Sequence, residues 1–328
     1  MRYFQLVFFI FCINNVYAGP YIEKGDPLFE PVSKMTRVDQ SERLKAMVDK
    51  GINDALFWYA ASIESKNILK HAESYQYYKQ AAEKGNPYAM LRISGKVGDP
   101  EYDCEHIGWP CDSSWKDQAI DKLIELKDQG DVKAYYYYNK HSGTVFSLLN
   151  PLSDTMSEEE MVTYAAEREY YTPLVHYLFR YTRKPEKVND EILAVLDKAA
   201  SKGFSPALYF RGDSFSRGLT YENKIDLLKK AAHKGYLPAY TSISYIARKE
   251  NDFLTAYIYL YLEFLVTGRK HMYLDSSRPA LYEFSSLSES EIEKAKEEAE
   301  ELYKNVEPEI YFDEDIFYAG SGGITLYK

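Results

Sequence analysis

Ala81-Ala82-Glu83-Lys84-Gly85-Asn86-Pro87-Tyr88-Ala89-Met90 returns twice. It recurs as Ala199-Ala200-Ser201-Lys202-Gly203-Phe204-Ser205-Pro206-Ala207-Leu208 and as Ala231-Ala232-His233-Lys234-Gly235-Tyr236-Leu237-Pro238-Ala239-Tyr240. Each copy reads as the end of one helix and the start of the next. The two alanines suit a helix face pressed on a neighbour, where only small side chains fit. Lys in the last turn complements the negative end of the helix dipole. Gly supplies the left-handed cap. Pro, two or three residues on, opens the next helix, where its missing N–H costs nothing. The alanine after it (Ala89, Ala207, Ala239) lets the second helix cross closely. One hinge used repeatedly decides the fold before any other feature does.

Weaker copies extend the series. Lys50-Gly51-Ile52-Asn53-Asp54-Ala55 lacks the proline, and Gln129-Gly130-Asp131-Val132-Lys133-Ala134 is degenerate. In Ala165-Ala166-Glu167-Arg168-Glu169 a glutamate stands where the cap glycine belongs, so this copy reads as eroded. The hinge glycines Gly51, Gly85, Gly130, Gly203 and Gly235, with position 169, lie 32 to 45 residues apart. Two antiparallel helices of about four turns and two short loops need that length. The expected fold is all-α, a solenoid of antiparallel helix pairs.

Length and composition agree. A chain of 328 residues is long for one compact core but ordinary for a repeat stack. The 32 tyrosines outnumber phenylalanine two to one, which favours half-buried helix faces and contact surfaces, since a tyrosine buries its ring and shows its hydroxyl. A net charge of −10 without a Lys/Arg cluster argues against nucleic acid. It argues equally against anionic lipid surfaces.

Residues 1–18 read as an export signal. Met1-Arg2 is a positive start, Tyr3 to Ile13 is apolar, and Val16-Tyr17-Ala18 sets small residues before Gly19, so cleavage is expected after Ala18. The run is too short to span a bilayer, and no second one follows, so no membrane span is expected. Export implies a periplasmic address. It leaves Cys104 and Cys111, an even pair around Glu105-His106-Ile107-Gly108-Trp109-Pro110, and an even pair in an exported chain reads as a disulfide. A metal site would need a fourth ligand at finger-like spacing. Two free thiols are the remaining alternative.

In chain order, residues 19–38 read as an extended lead-in, 39–305 as the repeat array and 306–328 as a tail. Asp39 with Glu42, Ser157 with Glu160, and Ser288 with Glu291 have capping-box spacing. Ser114 is a further cap candidate, and His141 to Asp154 reads as a connection. Asp252 to Leu265 is apolar enough to be buried on most sides. The charged helix from Ile292 to Tyr303, with Glu300/Lys304 and Lys294/Glu298 one turn apart, suits a terminal cap. The tail from Glu307 to Phe317 alternates acids with large apolar groups.

The motif Ala-Ala-x-Lys-Gly followed by Pro and Ala, at this interval, resembles the Sel1-like repeat of the tetratricopeptide-type α-solenoids. The closing Leu287-Ser288, Glu291-Ile292, Ala295 and Ala299-Glu300 look like the helix that ends such arrays. The family's Leu-Gly and Gly-x-Gly signature between the two helices is not recognisable here. The resemblance implies a right-handed superhelix and a non-catalytic, protein-binding role as scaffold or adaptor, with no cofactor and no metal. Exported members include some that resemble immunity partners of type VI secretion effectors, notably lipid-degrading ones, and that is the alternative function; a hydrolase is a minor third.

No Gly-x-Ser-x-Gly, Walker loop or His-Glu-x-x-His occurs. Glu158-Glu159-Glu160 suits a helix N-terminus, and Arg211-Gly212-Asp213 is an adhesion tripeptide short enough to arise by chance. The expected catalytic, cofactor and metal residues are therefore none. The expected contact residues are Trp109, Tyr135, Tyr136, Tyr137, Tyr138, Tyr311, Phe312 and Phe317. The competing reading of each is internal packing.

Overall fold

The computed structural model describes residues 21–22, 25–33, 38–64, 68–95, 108–110, 112–149, 156–267, 284 and 286–307. A short helix α1 (Phe29–Ser33) comes first. Helices then pair in chain order: α2 (Val38–Asp49) with α3 (Asp54–Glu64), α4 (His71–Glu83) with α5 (Pro87–Ile93), and α6 (Ser114–Asp128) with α7 (Val132–Leu149). They continue as α8 (Glu158–Glu167) with α9 (Thr172–Tyr181), α10 (Asp190–Ser201) with α11 (Ser205–Gly212), α12 (Tyr221–His233) with α13 (Leu237–Lys249), and α14 (Phe253–Thr267) with α15 (Glu289–Lys304). Partners pack on each other, and α3–α4, α5–α6, α7–α8, α11–α12 and α13–α14 contacts carry the stack between pairs, with α8–α10 and α9–α11 contacts joining the fourth pair to the fifth. The fold is all-helical, built of sequential helix pairs.

The hinge does what its residues dictate. Gly85 has φ +92° and donates to the Ala82 carbonyl at 2.8 Å, while Asn86 donates to the Ala81 carbonyl at 3.0 Å. This pair of hydrogen bonds is the Schellman cap, and it closes the helix carbonyls that have no partner of their own. Gly51, Gly130, Gly203 and Gly235 repeat it. The alanine four residues after each glycine (Ala55, Ala89, Ala134, Ala207, Ala239) is buried. A larger side chain there would overpack the crossing, at about 1–3 kcal/mol.

Two hinges break the glycine rule. Glu169 holds φ +63° and keeps the full cap, bonding through its own N–H to the Ala166 carbonyl and through that of Tyr170 to the Ala165 carbonyl. The erosion is thus in sequence and not in geometry. Asn251, at φ +62°, caps α13 in the same way. Its copy carries neither Gly nor Pro, and the sequence reading missed it. Asn tolerates the left-handed region better than most residues.

Other expectations need correction. The lead-in is not wholly extended, because α1 forms within it. Asp39 lies inside the first turn of α2, one residue past its start, and accepts from Gln40. Ser114 is the first residue of α6, and Asp112 accepts its N–H at 3.0 Å. The connection expected from His141 is helical to Leu149. In α15 Lys304 pairs with Glu301, next to the expected Glu300, and a pair not expected from the sequence forms between Lys296 and Glu293. The capping boxes at Ser157/Glu160 and Ser288/Glu291 both form.

The buried residues fall into two cores. One runs from Leu28 to Tyr170 and the other from Val162 to Ala299. They meet at α8, where Ala165 and Tyr170 belong to the first, and Val162, Ala166 and Tyr171 to the second. The Glu169 hinge is therefore the seam of the molecule.

A candidate protein-binding face beside the seam

The tyrosine run of α7 covers a full turn, so its members must face different ways. Tyr136 and Tyr137 face in. Tyr136 lies 5.9 Å from Tyr170, and Tyr137 packs on Tyr88 at 4.7 Å and on the buried His141 at 6.0 Å. These two are core residues and correct the expectation of contact residues at 136 and 137. Tyr135 and Tyr138 are half-exposed. The Tyr135 ring lies 4.5 Å from Tyr164 of α8, and its hydroxyl donates to Met156 Sδ at 3.4 Å. The Arg168 guanidinium covers the Tyr164 ring at 3.6 Å and donates to the Tyr164 carbonyl at 3.0 Å. Lys127 stands 4.8 Å above Tyr138, and Lys133 4.3 Å above Tyr88.

Half-exposed rings capped by cations thus line α5, α7 and α8. Each such contact contributes about 0.5–1 kcal/mol at an exposed site. It also holds the ring still, which lowers the entropy lost when a partner lands on it. Arg168 and Tyr164 were not among the expected contact residues. Their signal was the hinge itself: Arg168 fills the C-cap position that Lys occupies elsewhere, and Tyr164 is one turn before it.

Trp109 is buried, and this corrects its place among the contact residues. Its ring packs on Tyr75 and Tyr78, each at 5.7 Å, and its indole N–H donates to the His71 carbonyl at 2.7 Å. The Arg92 guanidinium sits 4.8 Å from the ring and forms an ion pair with Glu64. Glu64 also accepts from the Tyr78 hydroxyl at 2.9 Å. Both charged side chains are nine-tenths buried or more. The cluster locks α3, α4 and α5 to the segment before α6. Arg92, inside the otherwise apolar Ala89-Met90-Leu91-Arg92-Ile93, is the sequence signal for it.

Cys104, Cys111, Tyr311, Phe312 and Phe317 lie outside the described residues, as do residues 1–18. The three glutamates at the start of α8 are structural. Glu158 pairs with Arg180, Glu159 accepts from the Tyr177 hydroxyl, and Glu160 closes its capping box. Burial, reinforced by Glu159, pushes the Tyr177 hydroxyl well above the ordinary tyrosine range. Arg211 is spent on Asp197 and the Phe215 carbonyl, and Gly212 packs on Leu228, so the tripeptide there is part of the fold. Among the described residues, no group of three or more His, Cys, Asp or Glu stands close enough to hold a metal. Nor is any described helix long and apolar enough to cross a membrane.

A chain of sequential helix pairs with an aromatic, cation-capped face is a helical repeat protein. Two solved structures are similar to it. One is a protective antigen present in uropathogenic Escherichia coli strains and displaying an SLR fold. It is 15% identical, with a TM-score of 0.45 over 81% of this chain and 56% of that one. The other is a Sel1 repeat protein from Oxalobacter formigenes, 16% identical, with a TM-score of 0.30 over 85% of this chain and 96% of that one. The chain thus spans a little over half the length of the E. coli antigen. No family model and no curated protein matches it.

Proposed function

We propose that this protein is an exported, non-catalytic binding protein that acts as a periplasmic scaffold or adaptor. Its contact surface is the α6–α8 face, with Tyr135, Tyr138, Tyr164 and Arg168 at the centre. The observation that carries this reading is the division of the tyrosine run. Tyr136 and Tyr137 complete the core, while Tyr135 and Tyr138 stay half-exposed and are held by neighbours. Tyrosine and arginine are the residues that most often dominate protein interfaces. The charge and apolar pattern of residues 1–18, read as an export signal, supports the periplasmic address.

The test is affinity capture from the native periplasm with the wild-type chain and with a Tyr164→Ala/Arg168→Ala variant. The wild type should retain one protein that the variant loses, while both keep the same helical circular dichroism at the capture temperature. Equal capture by both chains would remove this face from the reading. If the captured protein is a secreted lipid-degrading toxin, the function is immunity by occlusion, and the same face is its docking site.

A further inference from the structure

Among the described residues, one side chain reaches the seam from far away in sequence. The Tyr21 hydroxyl accepts the Tyr171 N–H at 2.6 Å and the Thr172 N–H at 3.0 Å, and the Thr172 hydroxyl lies 3.4 Å from it. Its ring packs 5.7 Å from Tyr170, and Ile22 packs on the same core. These N–H groups start α9, whose own N-cap, Tyr171, offers no side-chain acceptor. At three other hinges the residue after the cap serves both helices. Asn86, Asp131 and Asp252 end one helix and accept from the N–H three residues into the next. At the Glu169 hinge the corresponding residue is Tyr170, which cannot do this. The acceptor is borrowed from 150 residues away.

The result is a notch with distinct walls. Two backbone donors and the Thr172 hydroxyl form its polar end, and Tyr170, backed by Tyr136, forms its aromatic side. It takes a phenol whose oxygen accepts two hydrogen bonds, followed by a branched aliphatic residue. We infer that the Tyr21-Ile22 segment is an internal ligand of this notch, and that its external ligand is an extended partner segment with tyrosine before a branched aliphatic residue.

This inference rests on the protein-binding reading above and adds its regulation. A tethered segment competes at a high effective concentration, so a partner displaces it only by adding contacts elsewhere. Tyr136 at the back of the notch is the chain neighbour of Tyr135 on the exposed face. A segment leaving the notch therefore begins close to that face.

The probe is the acetylated, amidated hexapeptide Gly-Pro-Tyr-Ile-Glu-Lys, the chain's own residues 19–24. Its binding to the full chain and to the Tyr21→Ala variant is read by fluorescence anisotropy. The variant should bind it at least about tenfold more tightly than the wild type, whose notch is occupied. A peptide with Phe in place of Tyr should lose most of that affinity. Tyr21→Phe, which keeps the ring and loses the acceptor, should bind the hexapeptide with intermediate affinity. A folded Tyr21→Ala chain that ignores the peptide, or binds it no better than the wild type does, overturns the inference. So does a Tyr21→Phe chain that fails to fold, because a displaceable ligand is not essential to the fold. Either failure leaves the capture test with Tyr164 and Arg168 untouched, so the two readings fall separately.

Discussion

Lys202 reaches back one hinge and forms an ion pair with Glu169, the residue that holds the preceding left-handed cap. The other hinge lysines reach the same way. Lys84 donates to Asn53 of the Gly51 hinge at 2.7 Å, and the Lys234 ammonium lies 3.3 Å from where a Gly203 Cβ would stand. The lysine read from sequence as a partner for its own helix dipole therefore also tethers its repeat to the one before. In a stack where each repeat touches mainly its neighbours, such ties set cooperativity.

Glu169→Gly pits two effects against each other. A residue with a side chain in the left-handed region gives up about 1–2 kcal/mol. The pair with Lys202 is largely solvent-exposed, so it contributes about 0–1 kcal/mol. Glycine also adds freedom to the unfolded chain, about 0.4–1 kcal/mol. Relief of the backbone is the largest of the three, and the variant should be more stable by about 0.5 kcal/mol. Asn251→Gly should be nearly neutral, because asparagine tolerates the conformation. Urea unfolding midpoints decide this. A drop for Glu169→Gly comparable to that of a core substitution would mean that the ion pair outweighs the backbone strain.

Glu64 and Arg92 invite a double-mutant cycle. Removing either partner strands a buried charge, and each single change (Glu64→Gln, Arg92→Met) should cost about 3–5 kcal/mol. The double variant should cost clearly less than the sum, since neither charge remains. Additive losses would mean that the two side chains do not sense each other.

The parts of the fold legible in the sequence are those with a local cause. Gly85, Gly203 and Gly235 announce themselves because only glycine takes that φ without strain. Ser157 and Ser288 announce their boxes by spacing to Glu160 and Glu291. The missed features depend on tertiary context. Asn251 takes a glycine's place because the crossing of α13 and α14 demands a turn there. Trp109 looked like a surface aromatic in a loop, but Arg92, Tyr75 and Tyr78 wall it in from two helices. The capping of α9 by Tyr21 has no local trace, because acceptor and donors are 150 residues apart. Of the proposed contact face, the tyrosine run was visible in sequence. Which members of it point outward was not, because that depends on where α8 lies.

The α15 capping box predicts a response to acid. The Ser288 hydroxyl, then its N–H, hold the Glu291 carboxyl below its ordinary range. A depressed carboxyl stabilises the fold above its unfolded pKa, and that contribution disappears as pH falls through the folded value. Ser288→Ala should cost about 1 kcal/mol near neutrality. It should also raise the Glu291 carboxyl part of the way toward the ordinary range in an NMR titration, because the N–H of residue 288 remains. An unchanged Glu291 titration in that variant would show that the box does not hold the carboxyl.

Alkali should unfold the protein cooperatively. Burial, helped by the charges of Tyr77, Glu73 and Asp49, raises Tyr59 to about 12, and burial together with Glu298 raises Tyr259 to about 12. Burial pushes Tyr177 and Tyr236 further up. In the unfolded chain these hydroxyls ionise near 10. Between those values the unfolded state binds fewer protons, so stability falls as pH rises. A buried tyrosine held near 12, as Tyr259 is, withdraws on the order of 3 kcal/mol by the time it ionises. The half-exposed Tyr59 withdraws less, because solvent screens it. Two or three buried groups of this kind match the whole stability of an ordinary domain, about 5–15 kcal/mol. Tyrosinate absorbance and loss of helical circular dichroism should therefore rise together, in one step between about pH 10 and pH 12. Tyr259→Phe, which removes one ionising group without opening a cavity, should move that step upward. Smooth titration of all tyrosines near 10 with the helices intact would mean that these hydroxyls are solvated and the cores looser than the burial of Tyr177 and Tyr259 requires.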